Sequence, residues 1–207
     1  MLTTAIKICG VTDANQAQAM VAMGVRYIGM IFHPASPRGI SLSQAVDVAK
    51  FTQDAGGHPI PVFVDQDTTA MLHIIETLQV NMIQLHGTPA QTTHHTLPES
   101  LHRLFALSFK SQQPLPTYAQ LLTDYHLQPE RDYLLIDSIQ LADNLQQHLD
   151  NYRDFKFFLA GRIDLRSIQY YSDTFHPYAI DIASGVEIAP GIKNLHIVQE
   201  LLRATQR

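Results

Sequence analysis

Residues 5–32 read AIKICGVTDANQAQAMVAMGVRYIGMIF, and the architecture is decided by how this stretch is parsed. Ala5-Ile6-Lys7-Ile8-Cys9 is a short apolar run closed by Gly10, and its length and β-branched content suit a buried strand. Ala17, Met20 and Val21 then fall at helical spacing and lead to Gly24, a plausible stop in the left-handed conformation. Tyr27 to Phe32 is a second apolar run. A strand, a helix and a strand in so short a span argue for a parallel pair joined by a crossover.

The alternation continues to the end of the chain. Further apolar runs lie at Pro61 to Val64, Met82 to His86, Leu104 to Phe109, Tyr133 to Asp137, Lys156 to Ala160 and Ala179 to Ala183. Between them, Ala45, Val48, Ala49 and Thr52 follow Ser41 or Ser43, and Met71, Ile74, Ile75 and Leu78 follow the N-cap candidate Asp67. The fourth helical segment, after Thr88-Pro89, is polar and ended by Pro98, whereas Tyr118, Leu121, Leu122 and Tyr125 repeat the helical spacing. Leu141, Leu145 and Leu149 suggest a sixth helix, Leu165 and Ile168 a seventh, and Leu195, Val198 and Leu202 an eighth. Eight strand–helix pairs in 207 residues leave about 26 residues each, the size of a mean strand, a mean helix and two short loops. The expected fold is α/β: a single (β/α)8 TIM barrel of minimal size over residues 1–207, with no second domain. A doubly wound open sheet is the alternative, but no Gly-x-Gly-x-x-Gly follows the first strand and there is no Walker motif.

Composition narrows the function. Lys plus Arg number 14 against 19 Asp plus Glu, a net charge of −5, and hydrophobic residues make up 45%. That apolar fraction excludes a disordered chain, and the acidity gives no support to a binder of nucleic acid or anionic membrane. One Cys excludes an intrachain disulfide framework and a multi-Cys zinc site. The longest membrane-like run, Val21 to Phe32, is short and holds Arg26, and no signal peptide is legible at the N-terminus. The expectation is a cytoplasmic, soluble monomer or homodimer acting on a small molecule.

A strand period of two puts Ile6 and Ile8 on one face and Lys7 and Cys9 on the other. Likewise Ile83 and Leu85 oppose Gln84 and His86, Leu134 and Ile136 oppose Leu135 and Asp137, and Ile180 and Ile182 oppose Asp181. The apolar faces should meet the helices. The mixed faces should line the barrel, with Lys7, Cys9, His86, Asp137 and Asp181 converging on the C-terminal rim, where this fold places its chemistry.

A lone Cys is more often an inert buried residue, but Cys9 ends a strand before Gly10 with a cation two residues away on its own face. Asp137 ends an apolar strand, where an unpaired carboxylate is costly, so a function or an ion pair is required. His86 reads first as structural, and His94, His95 and His102 as surface residues, with no metal-ligand spacing anywhere. Gly161-Arg162 and Ser184-Gly185 lie just beyond the seventh and eighth strands, where barrels often cradle a phosphate on backbone N–H groups, although turn glycines can be no more than that.

Lys7-Ile8-Cys9-Gly10-Val11-Thr12 resembles the opening of the phosphoribosylanthranilate isomerase family. The likeness continues through Ile28-Gly29-Met30-Ile31-Phe32, Ser36-Pro37-Arg38, Ile83-Gln84-Leu85-His86-Gly87, Leu134-Leu135-Ile136-Asp137 and Asp181-Ile182-Ala183-Ser184-Gly185-Val186-Glu187 with Pro190-Gly191. The resemblance implies a cofactor-free, metal-free barrel of tryptophan biosynthesis that converts an N-ribosylated anthranilate phosphate, an aminoaldose, into the aminoketose by an Amadori rearrangement. It gives Cys9 the role of general base at C2′ and Asp137 that of general acid at the ring oxygen. Arg38 would hold the anthranilate carboxylate, Asp181 the sugar, and Gly161, Arg162, Ser184 and Gly185 the phosphate, with Lys7 and His86 also in the substrate site. Lys7 is expected to lower the thiol pKa, since an ordinary thiol is only about 3% thiolate at neutral pH. Asp137 would instead need to keep its proton.

Two departures stand out. The family's Gly-rich loop after strand six is absent, Ser138-Ile139-Gln140 leading directly to the sixth helix, and the family's Gly-Gly after strand seven is Gly161-Arg162. They keep a second reading open: a non-catalytic paralogue that binds a phosphorylated sugar or aromatic amine as a sensor or partner.

Overall fold

Eight parallel strands close into a barrel, each hydrogen-bonded to the next and the last to the first, in a computed structural model that describes residues 4–108, 115–137 and 145–205. The strands are β1 (Ala5–Cys9), β2 (Tyr27–Phe32), β3 (His58–Phe63), β4 (Met82–Leu85), β5 (His102–Ser108), β6 (Tyr133–Asp137), β7 (Lys156–Ala160) and β8 (Ala179–Ile182). The helices are α1 (Ala14–Met23), α2 (Leu42–Asp54), α3 (Thr68–Leu78), α4 (Thr88–Thr93), α5 (Tyr118–Thr123), α6 (Leu145–Asp150), α7 (Ile168–Phe175) and α8 (Leu195–Ala204). After β8 comes a small hairpin of β9 (Glu187–Ala189) and β10 (Ile192–Lys193). Closure excludes the open sheet. Phe109, the segment 138–140 and Leu141 lie outside the described residues.

Local chemistry sets the helix ends. Asp13 accepts a hydrogen bond from Gln16 N–H at 2.7 Å to start α1, which stops at Gly24 with φ 116°. Ser41, not Ser43, caps α2 through a capping box with Gln44, and Asp67 caps α3.

Strand β3 begins at His58, three residues before the expected Pro61. Its Pro59 and Pro61 lack N–H groups, which argues against an inner strand. Phe63 C=O accepts from His86 N–H at 2.8 Å, so Phe63, Pro61 and Pro59 all face β4. The ladder with β4 begins only at Val62, past both prolines, so neither missing donor interrupts it.

Two apolar layers follow from the alternation. Ile6, Ile8, Ile28, Met30, Ile83, Leu134, Ile136, Ile180 and Ile182 face outward and pack under the helices. Ile60, Met82, Leu104, Leu135 and Phe158 fill the barrel. At its N-terminal end Tyr27, Tyr133, Tyr178 and Phe158 form a ring-on-ring plug, with centroids 5.1–5.8 Å apart and the Tyr27 and Tyr178 hydroxyls 3.3 Å from each other.

Two expectations fail here. Leu165 precedes α7 and is exposed, while Ile168 alone of that pair is buried. His94 is not a surface residue: it is 1% exposed, and its Nδ1 accepts from Arg103 Nε at 3.1 Å. Arg103 is itself buried among the carbonyls of Leu97, Pro98 and Leu101, and burial together with its charge pushes the His94 pKa down to about 4. A polar stretch without periodicity gives no sign of such a buried knot.

Candidate active site

The register of β1 on β8 sets Lys7 beside Asp181 on the inner face, and their side chains form a buried ion pair of 2.8 Å. Burial disfavours the Lys7 ammonium, but Asp181 and Cys9 outweigh it and hold its pKa above the ordinary value. Cys9 lies next along the same face, 7% exposed. Burial pushes its thiol up, Asp181 adds to the rise, and Lys7 and Lys193 pull it down without prevailing. The expected lowering by Lys7 is therefore present but overruled by desolvation. Room for both groups comes from β2: a Cβ on Gly29 would sit 2.8 Å from Cys9 Sγ and 3.2 Å from Lys7 Nζ.

Across the barrel, Asp137 ends β6, half-buried, and lines the same cavity as Cys9. His86 Nε2 is 3.9 Å from Asp137 Oδ2, and Gln84 Nε2 is 3.1 Å from His86 Nδ1. With the Gln84 NH2 donating, Nδ1 accepts in the tautomer that carries the ring proton on Nε2, toward Asp137. Gln84 belongs to the site although no role was read for it. Its position on the mixed face of its strand was the available signal. Among the described residues, Gln84 Oε1 and Asp181 Oδ1 are buried acceptors without a hydrogen-bond partner. Two orphan acceptors lining one cavity, on β4 and β8 across the barrel from each other, suit a ligand with hydroxyl donors.

Arg38 lines the mouth, but its Nε and Nη2 are already committed to Glu187, at 2.7–3.0 Å. Glu187 also accepts from Lys193 Nζ at 2.7 Å and Gly191 N–H at 3.1 Å. Its burial is outweighed by these donors, and its pKa falls to about 2. Glu187 closes the motif quoted from Asp181 onward but was given no role, Lys193 was not singled out, and a two-residue strand offers no period from which to read a buried lysine.

Gly161, Arg162, Ser184 and Gly185 all line the cavity beyond β7 and β8. Gly161 has φ 115° and Arg162 φ 49°, so a residue with a side chain occupies a backbone conformation that favours glycine. A Cβ on Gly185 would meet Ile163 C=O at 2.3 Å, so the two loops approach as closely as they do only because it has none. The whole cavity is about 580 Å³, the size of a small-molecule site. Among the described residues no cluster of three or more His, Cys, Asp or Glu could hold a metal ion, and no helix is long and apolar enough to cross a membrane.

Comparison with known proteins points the same way. Residues 6–204 match the profile of the N-(5′-phosphoribosyl)anthranilate isomerase family. The chain is 30% identical over 197 residues to chloroplastic N-(5′-phosphoribosyl)anthranilate isomerase 1 of Arabidopsis thaliana, covering 91% of this chain and 69% of that protein. It is 31% identical over 185 residues to the Chlamydia caviae isomerase, covering 88% and 86%. A crystal structure of phosphoribosyl anthranilate isomerase in complex with reduced 1-(o-carboxyphenylamino)-1-deoxyribulose 5-phosphate superposes with a TM-score of 0.77 at 22% identity, covering 98% of each chain. With a closed eightfold barrel, a rim cavity built by the strand ends and a profile match over nearly its whole length, the chain belongs to the N-(5′-phosphoribosyl)anthranilate isomerase family.

Proposed function

We propose that this barrel catalyses the Amadori rearrangement of phosphoribosylanthranilate in tryptophan biosynthesis, with Asp137 as general acid and Cys9 as general base. The observation that carries the reading is one cavity lined by a thiol at the end of β1, a carboxylate at the end of β6 and the two unpartnered buried acceptors Gln84 Oε1 and Asp181 Oδ1. Asp137 gives its proton to the ribose ring oxygen while the nitrogen lone pair opens the ring to an iminium. Cys9 then takes the C2′ proton, and the electrons flow to the iminium as an enaminol. Return of the proton from Cys9 to C1′, with loss of the 2′-hydroxyl proton to restore Asp137, leaves the ketose, an isomer of the starting aldose. The Lys7 ammonium holds Asp181 so that its second oxygen is left for a sugar hydroxyl. Arg38 meets the anthranilate carboxylate with the guanidinium edge that Glu187 does not use. The loops at Gly161 and Gly185 take the phosphate, with Arg162 adding a charge.

Turnover of freshly prepared phosphoribosylanthranilate is the test, followed by the change in anthranilate fluorescence. Conversion that depends on Cys9 and Asp137 is expected. No rate above the spontaneous background would overturn the isomerase reading and leave a barrel that only binds.

A further inference from the structure

Lys193 lies in β10, 184 residues from Cys9, yet it is 1% exposed and its ammonium sits directly behind the site. Nζ donates to Cys9 C=O at 2.6 Å, to Glu187 Oε1 at 2.7 Å and to Ala183 C=O at 3.4 Å. Three protons thus meet three acceptors, at the ends of β1 and β8 and on β9. Glu187 passes the constraint on to Arg38 through its two-pronged contact. The Arg38 stem in turn lies across Gly10, where a Cβ would be 2.7 Å from Arg38 Cδ. The hairpin is stitched to the same segment at further points. Thr12 Oγ1 donates to Gly191 C=O at 3.1 Å, and Gln16 bonds both the N–H and the C=O of Lys193. Neither Glu187 nor Lys193 lines the cavity.

We infer that Lys193 and Glu187 are positioning residues: one buried ammonium fixes the backbone of the base Cys9 and, through Glu187, the guanidinium of Arg38, so that both are set in one frame. The inference rests on the isomerase reading for the roles of Cys9 and Arg38. It adds that the distance between proton abstraction and carboxylate holding is set from outside the cavity. The charges make the idea testable by sign. Two cations share one carboxylate, so the network keeps one positive charge in excess, and a ligand carboxylate would balance it. If Glu187 merely neutralised Arg38, removing its charge would strengthen the hold on an anionic ligand. If it positions Arg38, removal weakens that hold.

The experiment uses the full chain with Glu187→Gln, Lys193→Met, Arg38→Ala and the Arg38→Ala/Glu187→Gln double variant. It measures kcat, KM and the calorimetric affinity for the reduced aminoketose product analogue. Glu187→Gln should raise KM and the analogue Kd tenfold or more with kcat changed less than threefold, and should add nothing in the Arg38→Ala background. Lys193→Met should lower kcat as well, because the Cys9 carbonyl loses its anchor, and should shift the pH midpoint of Cys9 alkylation upward. If Lys193→Met does not fold, Glu187→Gln and the double variant decide alone. Unchanged or tighter analogue binding in Glu187→Gln, or effects that simply add to Arg38→Ala, would overturn the inference, as would a wild-type chain that binds no analogue. A wild-type chain that binds the analogue without turnover sinks the isomerase reading and leaves this test standing, because affinity is read without chemistry.

Discussion

A thiol that burial holds above its ordinary value is scarcely ionised at neutral pH, so a reaction with Cys9 as base should quicken as pH rises. The kcat/KM profile is expected to climb tenfold per pH unit from neutrality before it levels in the alkaline range. A flat profile above pH 7 would take Cys9 out of that role. Cys9→Ser and Asp137→Asn should each lose about 10²-fold or more in kcat with the fold intact by circular dichroism. Arg38→Ala should weaken binding of the product analogue by about 2–5 kcal/mol, the range for removing one partner of a desolvated charge pair. Part of that loss belongs to Glu187, whose carboxylate would keep only Lys193 and the Gly191 amide.

Arg162 and the loop after β7 separate binding from stability at the scale of an element. A left-handed backbone costs a residue with a side chain about 1 kcal/mol, and glycine gives back a similar amount in the unfolded chain. Arg162→Gly should therefore leave the unfolding free energy within about 1 kcal/mol of wild type. The same change should weaken sulfate or phosphate binding severalfold and flatten its salt dependence if the guanidinium reaches the anion. A crystal soaked in sulfate should show the anion within reach of the Gly161 and Gly185 amides. An empty rim would count against a phosphorylated ligand.

The elements also show what a sequence can disclose. Ile6 and Ile8 against Lys7 and Cys9 need only a period of two, which is local, so the barrel and the rim facing of Cys9, Asp137 and Asp181 were readable. Glu187, Lys193 and the vacancy at Gly29 were not. Each matters through a partner brought close only by closure, such as the Cys9 carbonyl that Lys193 reaches across the whole chain. The sign of the Cys9 shift escaped for a related reason: the nearby cation is visible in the sequence, but the burial that outweighs it is a property of the folded barrel.

For the whole molecule, two buried groups set the response to acid. His94 titrates at about 4 when folded against an ordinary 6.5, so protons favour the unfolded chain, and its contribution is complete above pH 6.5 and lost toward pH 4. Glu187 falls from 4.5 to about 2, so its contribution is present above pH 4.5 and lost as pH drops toward 2. Each amounts to about 3 kcal/mol. Stability by urea titration should thus decline from pH 6.5 downward in two overlapping stages. His94→Asn, which keeps an acceptor for Arg103 and cannot charge, should flatten the upper stage between pH 6.5 and 4. An unaltered slope there would show that His94 is not its source.

The aromatic plug at the lower end of the barrel also governs traffic. Tyr27, Tyr133, Tyr178 and Phe158 stop that end, so whatever enters the cavity between the strand ends must leave by the way it came. Aldose and ketose then queue at a single doorway and cannot overlap in residence. The aminoketose should compete directly with the aminoaldose, raising KM in proportion to its concentration with no fall in kcat, and accumulated product should throttle the reaction from the same side that feeds it.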